Sequence, residues 1–326
     1  MKVSAKQVAL RCQTSTAAVS RAFRPDAPIA SDLRARILEA AREMGYVPPR
    51  VRAPQKVRNR MISLVVGDIT NPFYPTILER FATEFAAVGY DLLVHTVPKD
   101  ATVDSVMPQV FRVQSDAVVV TSANMSSRLA RECQARGIPV VLFNRVQADA
   151  SLSAVCADNY NGGRVIAEHL KNKGCERLAF IGGIKDTSTH LERRRGFYDA
   201  LEGAGLDVAY EGTGNYDYTK SLEFADLLFR DARRPDGVFC ANDITAIAAI
   251  DSAKSAGLLP GKDVAIVGFD DVPMASWSSY RLTTVRQKIG AMIRNTLGLI
   301  EDSLADPDSA GTVRMIRGEL IVRDSG

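Results

Sequence analysis

Residues 3–23 read VSAKQVALRCQTSTAAVSRAF, and this stretch predicts two short helices separated by a brief turn. Ser4 followed three residues later by Gln7 has the form of a capping box, which marks the beginning of a helix. Ser15 can cap a second helix, from Thr16 to Phe23. The apolar residues of both helices recur at helical spacing and are expected to face inward: Val8, Ala9, Cys12, Val19 and Phe23.

A third helix is predicted from Ser31 onward, after Pro25 and Pro28 have ended the second. Gly45 is well placed as its C-terminal cap. The inward face of this helix is expected to carry Leu33, Ile37, Leu38, Ala41 and Met44. Three short helices with so brief a turn between the first two are typical of a helix-turn-helix, whose second helix enters the major groove of DNA. Helical hairpins of this size also serve as protein-interaction modules, so the shape alone leaves both functions open.

The charge of the chain is unevenly distributed. Residues 1–60 carry thirteen Lys and Arg against four Asp and Glu, a net charge of +9. The remaining residues carry twenty-eight against thirty-four, a net charge of −6. A small basic region of this kind commonly neutralises phosphates with release of counterions, although a merely solvated surface would have the same composition. The charge alone leaves open whether a nucleic acid or only solvent meets the first sixty residues.

From Met61 onward, short apolar runs alternate with helical stretches, which predicts an α/β fold with parallel sheets covered on both faces. The predicted strands are 62–66, 91–95, 117–121, 140–143, 178–181, 238–240 and 264–267. The predicted helices lie near 75–88, 126–136, 160–173, 192–204, 219–230, 243–257 and 288–304. Roughly a dozen strands divided between two sheets give two Rossmann-like lobes, in which ligands bind beyond the carboxyl ends of the strands.

Motifs along the whole chain resemble the LacI family, the lactose and purine repressors. In the first sixty residues these are Gln7-Val8-Ala9, Ser15-Thr16-Ala17-Ala18-Val19-Ser20-Arg21 and Gly45-Tyr46-Val47-Pro48. The later ones, in order, are NPFY, IPVVLFNR, ADNYNGG, RRRGF, CANDITA, DVAIVGFDD and RLTTVRQ. The resemblance implies a sequence-specific DNA-binding regulator, a repressor. Its affinity for an operator would be controlled by a small polar effector, a sugar or sugar derivative, bound between two lobes.

The resemblance also implies a domain organisation. Residues 1–48 would form an all-α helix-turn-helix domain, 49–60 a basic hinge linker, and 61–326 a periplasmic-binding-protein-like domain for effector binding and dimerisation. In that domain, residues 61–156 and 288–315 would form one lobe, and residues 157–286 and 316–326 the other. The lobes would be joined by crossovers near Ala157, Arg286 and Ile316. Because two recognition helices must reach two half-sites, a homodimer, or a tetramer built from it, is expected.

The resemblance assigns the DNA contacts position by position. Thr16, Ala17 and Arg21 would read bases, and Ser15 and Ser20 would approach phosphates. Arginine can make two hydrogen bonds to guanine, whereas Thr and Ala offer one hydroxyl or a methyl group, so direct readout is expected to depend on Arg21. Gln13 departs from the family by replacing the glycine of the turn, where a left-handed conformation would strain it. Arg24 replaces an asparagine and adds a charge directed at phosphate.

The linker of residues 49–60 reads PRVRAPQKVRNR and is basic. In the family this segment folds into a short hinge helix on the operator and wedges a leucine into a minor-groove step. Here Gln55 occupies that position and follows Pro54, so the sequence favours neither a helix nor an apolar wedge. We expect a weakly bent operator, or contacts to the minor groove and phosphates from Arg50, Arg52 and Arg58 instead.

Polar and aromatic residues follow the predicted strands and form the expected effector site. Phe73 and Tyr218 are expected to stack on a sugar ring, with Phe73 interpreted as a pocket wall rather than a core residue. Polar side chains at the other strand ends would bond hydroxyl groups. The complete set is Asn71, Phe73, Tyr74, Arg145, Arg193, Tyr218, Asn242, Asp270 and Gln287. Asn242, like Asp158, has an equally good alternative role as a helix cap.

Other classes of function are disfavoured. The five cysteines are scattered and the three histidines lack the spacing of metal ligands, so buried reduced thiols and no metal are expected. No GxGxxG follows the first strand and no GxxxxGK[ST] occurs, so neither an enzyme nor a nucleotide cofactor is expected. A periplasmic transport protein would share the large domain but carry a signal sequence in place of the basic helices. Without an apolar run long enough for a membrane span, the protein is expected in the cytoplasm.

Overall fold

The computed structural model describes residues 3–23, 27–46, 58–98, 101–121, 125–147 and 152–326. The chain divides into two compact units, Met1–Arg58 and Asn59–Gly326. Within the described ranges, no helix is both long and apolar enough to cross a membrane. Some expectations fall outside those ranges and stay predictions: the roles of Arg24, Arg50 and Arg52, and the effect of Pro54 and Gln55 on the hinge.

The first unit contains three helices, α1 (Ala5–Arg11), α2 (Thr16–Ala22) and α3 (Ser31–Glu43). The predicted capping box is confirmed, since the Ser4 backbone N–H donates to Gln7 Oε1 at 2.7 Å. The three helices enclose one apolar core, made of Val8, Ala9, Cys12, Ala18, Val19, Ala22, Ile37, Ala40, Ala41 and Tyr46. These helices are too short to be stable alone, so their mutual packing holds them together.

The helix α3 ends as predicted, but one side chain that was predicted to face inward is exposed. Gly45 follows the helix with a φ of +64°, the left-handed conformation that favours glycine. Leu38, predicted to face inward, is 39% exposed. The buried face of α3 is carried by Ile37, Ala40 and Ala41. Consecutive helical residues point about 100° apart, so burial of Ile37 turns Leu38 toward the rim of that face.

The second unit begins with a six-stranded sheet, here called sheet 1. It contains β1 (Met61–Val66), β2 (Asp91–Thr96), β3 (Ala117–Val120), β4 (Val140–Phe143), β5 (Ser153–Ala157) and β11 (Val313–Ile316). The strands are all parallel, in the order β11-β5-β4-β3-β1-β2. The helices α4 (Phe73–Ala86) and α11 (Ile289–Ala305) supply core residues on one face, and α5 (Met107–Arg112) and α6 (Ser127–Ala135) on the other.

Sheet 2 completes the unit. It contains β6 (Leu178–Gly182), β7 (Val208–Thr213), β8 (Gly237–Cys240), β9 (Ala265–Asp270), β10 (Thr283–Arg286) and β12 (Glu319–Ile321). Their order is β12-β10-β9-β8-β6-β7, and every pairing is parallel except that of β12 with β10. The helices α7 (Asn159–Asn172) and α8 (Ser188–Glu202) pack on one face, and α9 (Tyr218–Arg230) and α10 (Asp243–Ser255) on the other. We call each sheet with its helices a lobe.

The predicted α/β fold with two parallel-sheet lobes is therefore confirmed. The chain passes between the lobes after three strands, because β5 leads into α7, β10 into α11, and β11 into β12. A direct hydrogen bond also joins the lobes, from the backbone N–H of Val146 to Ser188 Oγ at 2.9 Å. Both residues follow the carboxyl end of a strand, so the carboxyl edges of the two sheets face each other. This edge is where open α/β sheets bind ligands.

Candidate DNA interface and effector cleft

The helix α2 divides cleanly into a buried and an exposed face. Ala18, Val19 and Ala22 are buried in the three-helix core. The predicted DNA contacts of this helix are all exposed on the opposite face or at the cap: Ser15, Thr16, Ala17, Ser20 and Arg21. Ser15 caps the helix, as predicted, because its Oγ accepts a hydrogen bond from the backbone N–H of Ala18 at 3.1 Å. An exposed stripe of small side chains and one arginine suits entry into the major groove.

The turn before α2 contains the expected strain. Gln13 has a φ of +49°, which confirms that this position requires the left-handed conformation that glycine adopts without cost. The backbone N–H of Thr14 donates to the carbonyl of Ala9 at 2.9 Å, so the turn is hydrogen-bonded despite the substitution. Gln13 therefore costs stability without changing the path of the chain between the helices.

Between the lobes, Tyr74 marks where residues of the two sheets converge. It lies in the first turn of α4, just after β1, and the guanidinium of Arg145, which follows β4, approaches its hydroxyl. Tyr216 and Asp270 of the other lobe are also close enough to act on it electrostatically. Burial raises the pKa of Tyr74, and the charge of Arg145 opposes that rise. The cleft is thus lined by residues from both sheets.

Arg193 is a deeply buried cation of lobe 2. Its side chain is 2% exposed, and its guanidinium carbon lies 3.6 Å from the centroid of the Phe269 ring. Its Nε donates to Asn159 Oδ1 at 2.8 Å and its Nη2 to Asp270 Oδ1 at 3.4 Å. The carbonyl of Ala241 accepts a further hydrogen bond from Nη1. Such a guanidinium is fixed in place before any ligand arrives.

Asp270 is the counter-charge of Arg193 in this site. Gln287 Nε2 donates to its Oδ1 at 2.7 Å, on the same oxygen that receives Arg193. Burial raises the pKa of Asp270 to about 6, although Arg193 and the hydrogen bond from Gln287 favour the ionised form. Its φ of +124° is unusual for a residue other than glycine. The carboxylate ends β9 and faces the cleft because this backbone and these partners hold it there.

Asp243 lies near Asp270 and was not among the predicted site residues. It is fully buried, and its carboxylate accepts hydrogen bonds from the backbone N–H of Val272 and the hydroxyl of Thr284. Burial, together with the nearby Asp270, raises its pKa well above the usual value. Asn242 caps α10, with Oδ1 accepting from the backbone N–H of Thr245 at 3.1 Å, so its capping role is present.

Two predicted aromatic contacts need correction. Phe73 is 3% exposed within the apolar core and meets the Tyr74 ring edge to face, so it supports the cleft from behind instead of forming its wall. Tyr218 is 37% exposed and donates its hydroxyl to Asp251 Oδ2 at 2.9 Å on the surface of α10. The aromatic residue of the same segment that neighbours Tyr74 is Tyr216, with its hydroxyl 3.2 Å from Thr189 Oγ1.

The remaining predicted residues lie at the cleft with unequal hydrogen bonding. Asn71 is buried, and its Oδ1 accepts from the backbone N–H of Phe73 at 3.1 Å. Gln287 Oε1 and Asn144 Oδ1 are buried without a hydrogen-bond partner among the described residues. A cavity of about 320 Å³ opens at the boundary of the lobes, lined in part by Gln147, Asn159 and Ser188. Buried acceptors without partners are places where a ligand hydroxyl would gain most, because an unsatisfied buried acceptor is costly.

The described part of the chain offers little for a metal or for thiol chemistry. No group of three or more His, Cys, Asp or Glu side chains in these ranges could hold a metal ion. The five cysteines are buried and free. Burial raises the pKa of Cys156, which lies beside Asn159, to about 11, so its thiol is not activated.

Comparison with known proteins shows what the chain is similar to. Residues 167–326 match the periplasmic binding protein-like domain. The HTH-type transcriptional repressor CytR of Escherichia coli K12 is 28% identical over 328 residues, which cover 98% of this chain and 95% of CytR. Over its full length the chain is therefore similar to LacI-type transcriptional repressors. The ribose operon repressor of Bacillus subtilis is 27% identical over 283 residues, which cover 86% of this chain and 86% of that repressor.

Solved structures agree with this assignment over the whole length. The complex of the transcriptional regulator CelR with cellobiose is 25% identical, covers 100% of both chains and has a TM-score of 0.74. A LacI-type regulator from Alkaliphilus metalliredigens, in complex with D-xylulofuranose, is 25% identical with a TM-score of 0.73. The match covers 82% of this chain and 99% of that regulator. Regulators of the same fold and comparable similarity therefore carry sugars.

Proposed function

We propose that this protein is a repressor that binds an operator through α2 and releases or holds it in response to a sugar-like effector in the cleft between its lobes. The observation that carries the proposal is the convergence of Tyr74 and Arg145 from lobe 1 on Tyr216 and Asp270 from lobe 2. A ligand that contacts both lobes stabilises one closure angle, and that angle can differ in its affinity for DNA.

The DNA side of the proposal rests on the exposed face of α2. Arg21 reads a base and Thr16 and Ala17 provide secondary contacts, while Ser15 and Ser20 approach phosphates. Arg24, Arg50 and Arg52 add phosphate or minor-groove contacts from outside the described residues. The operator is duplex DNA with two half-sites, because one α2 reads only a few base pairs.

The effector side of the proposal uses a revised set of residues. Tyr74 and Tyr216 provide ring surfaces, and polar groups for hydroxyls come from Asn71, Arg145, Arg193, Asn242, Asp270 and Gln287. Cellobiose and D-xylulofuranose in the related structures support a carbohydrate. The protein would act in the cytoplasm as a homodimer, or a tetramer built from it, with residues 1–48, 49–60 and 61–326 as DNA-binding domain, hinge and effector domain.

The test begins with DNA. The full chain is incubated with random duplexes, and the bound sequences are enriched and measured by fluorescence anisotropy. We expect a two-fold symmetric site whose affinity changes when one sugar of a panel is added. A variant lacking residues 1–58 should lose the DNA site and retain the shift in melting temperature caused by that sugar. Enrichment of no sequence by the full chain would contradict the proposal.

A further inference from the structure

Two arginines face the cleft, and their surroundings differ. Arg193 has a carboxylate, a carbonyl, an amide oxygen and an aromatic ring around its guanidinium. Arg145 is half-buried, and the described residues place no carboxylate within 4.0 Å of it. Its neighbour is the neutral hydroxyl of Tyr74, whose raised pKa keeps it protonated. Among the residues that the structure describes, the cleft therefore contains one arginine with a counter-charge and one without.

The other charges of the cleft do not compensate Arg145. Asp270 is committed to Arg193 and Gln287, and Asp243 beneath it, with a pKa well above its usual value, favours the protonated form. Glu192 lines the neighbouring cavity but pairs with Arg195 at 2.6 Å. Among the described residues the half-buried cation at Arg145 thus has a neutral hydrogen-bond partner but no counter-charge, and a partly desolvated charge without a counter-charge is costly.

A second observation indicates what else the ligand carries. Gln287 is 4% exposed, and because its Nε2 must face the Asp270 carboxylate, its Oε1 is the atom left without a partner. Asn144 Oδ1, next to Arg145 in the chain, is buried and also without a partner among the described residues. Both atoms accept hydrogen bonds only, so they fit ligand hydroxyl groups.

We propose that the effector is an anionic sugar derivative, whose carboxylate or phosphate binds Arg145 and whose hydroxyl groups donate to Gln287 Oε1 and Asn144 Oδ1. This inference rests on the proposed function, since it specifies the ligand of the same cleft. The planar guanidinium can hold two oxygens of one anionic group at once, which a neutral hydroxyl cannot match. Neutral sugars of the same ring shape are then disfavoured, because they leave Arg145 without a counter-charge.

Matched ligand pairs test the proposal on the full chain. The melting temperature is measured with D-galacturonate against D-galactose, D-glucuronate against D-glucose, and D-ribose 5-phosphate against D-ribose, and responding ligands are titrated by calorimetry. We expect stabilisation by at least one anionic member and a weaker response to its neutral partner. The sugar acids and the sugar phosphate distinguish a carboxylate from a phosphate as the bound group.

Variants of Arg145 separate its charge from its packing. Arg145→Gln should weaken binding of the anionic ligand about 10- to 100-fold, the loss of one charge-assisted contact, and Arg145→Lys should restore part of it. Arg136→Gln, the same change on the exposed surface of lobe 1, should leave the affinity unchanged. Equal binding of anionic and neutral partners would overturn the anion proposal while leaving a sugar cleft in place. Silence of every ligand would overturn it and also count against the cleft as the effector site.

Discussion

The ring of Tyr216 lies against the backbone of Gly183, so closely that a Cβ atom on Gly183 would come within 1.9 Å of the ring. Tyr216 and Asn215 before it both have left-handed backbone angles, with φ values of +61° and +54°. Gly183 follows β6 and Tyr216 follows β7. Gly183, which follows β6, therefore sets the position of the Tyr216 side chain, which follows the neighbouring strand β7.

Gly183→Ala should displace the Tyr216 ring and lower the free energy of unfolding by about 1–3 kcal/mol, the usual cost of overpacking. Urea denaturation measures it. When Tyr216→Ala is already present, adding Gly183→Ala should lower the free energy of unfolding much less, because the ring that the methyl group would meet is gone. Gly203→Ala is the control, since its Cβ would meet the nearest atom at 3.4 Å. Additive effects of the two changes would show that the contact is not responsible.

Gln13→Gly should stabilise the first unit. Glycine adopts the φ of +49° freely, whereas a side chain at this position costs about 1 kcal/mol. The same change at an ordinary helical position, Lys6→Gly in α1, should destabilise by about 1 kcal/mol. Both variants are compared with the parent chain by urea denaturation followed by circular dichroism. A loss of stability in Gln13→Gly would mean that the side chain makes contacts worth more than the strain.

Arg21→Ala should weaken binding to the selected operator by about 1–3 kcal/mol, because it removes a two-bond contact to a base. Binding to unrelated duplex DNA should fall much less. Fluorescence anisotropy with both duplexes at one salt concentration gives the ratio. Ser20→Ala, which removes a phosphate contact on the same face, should reduce both affinities alike. Equal losses on both duplexes for Arg21→Ala would refute the base-reading role.

Asp270 should make stability depend on pH in a defined direction. Its pKa is raised from 3.8 in the unfolded chain to about 6 in the fold, so the folded state binds the proton more tightly. The associated stabilisation is present below about pH 4 and is lost as the pH rises through 6. The unfolding free energy of the parent chain minus that of Asp270→Asn should therefore fall as the pH rises across this window. Glu202→Gln, an exposed change, should give a flat difference, and a flat difference for Asp270→Asn would contradict the assignment.

The fold was predictable from sequence where the hydrophobic signal is strong. The central strands β1, β3, β4, β6, β8 and β9 are continuous apolar runs, since both faces of each sheet are covered. The buried strands β5 and β10 were not predicted individually, and neither were the edge strands β7, β11 and β12, which mix partly buried with exposed residues. Their pattern is weaker because an edge strand needs fewer apolar residues.

The site was predictable by position but not in its detail. Polar residues after buried strands, such as Asn71 and Asp270, lie at the cleft because parallel strands share one carboxyl edge. The prediction that Tyr218 stacks on the ligand was wrong. Tyr216 lies near Tyr74 instead, and its position depends on two consecutive left-handed residues, which no sequence periodicity indicates. The different surroundings of Arg193 and Arg145 depend on side chains more than forty residues away in sequence, such as Ala241 and Asp270.

The passage of β11 into β12 fixes the order in which the protein can assemble. β11 pairs with β5, about half the chain earlier in sequence, and β12 then pairs with β10 of the other sheet. Neither sheet acquires its last strand until residues 313–321 have left the ribosome. Such distant pairings form late and slowly, since the intervening chain must first be brought together. During synthesis both sheets therefore lack one strand until the same nine residues, 313–321, have been made.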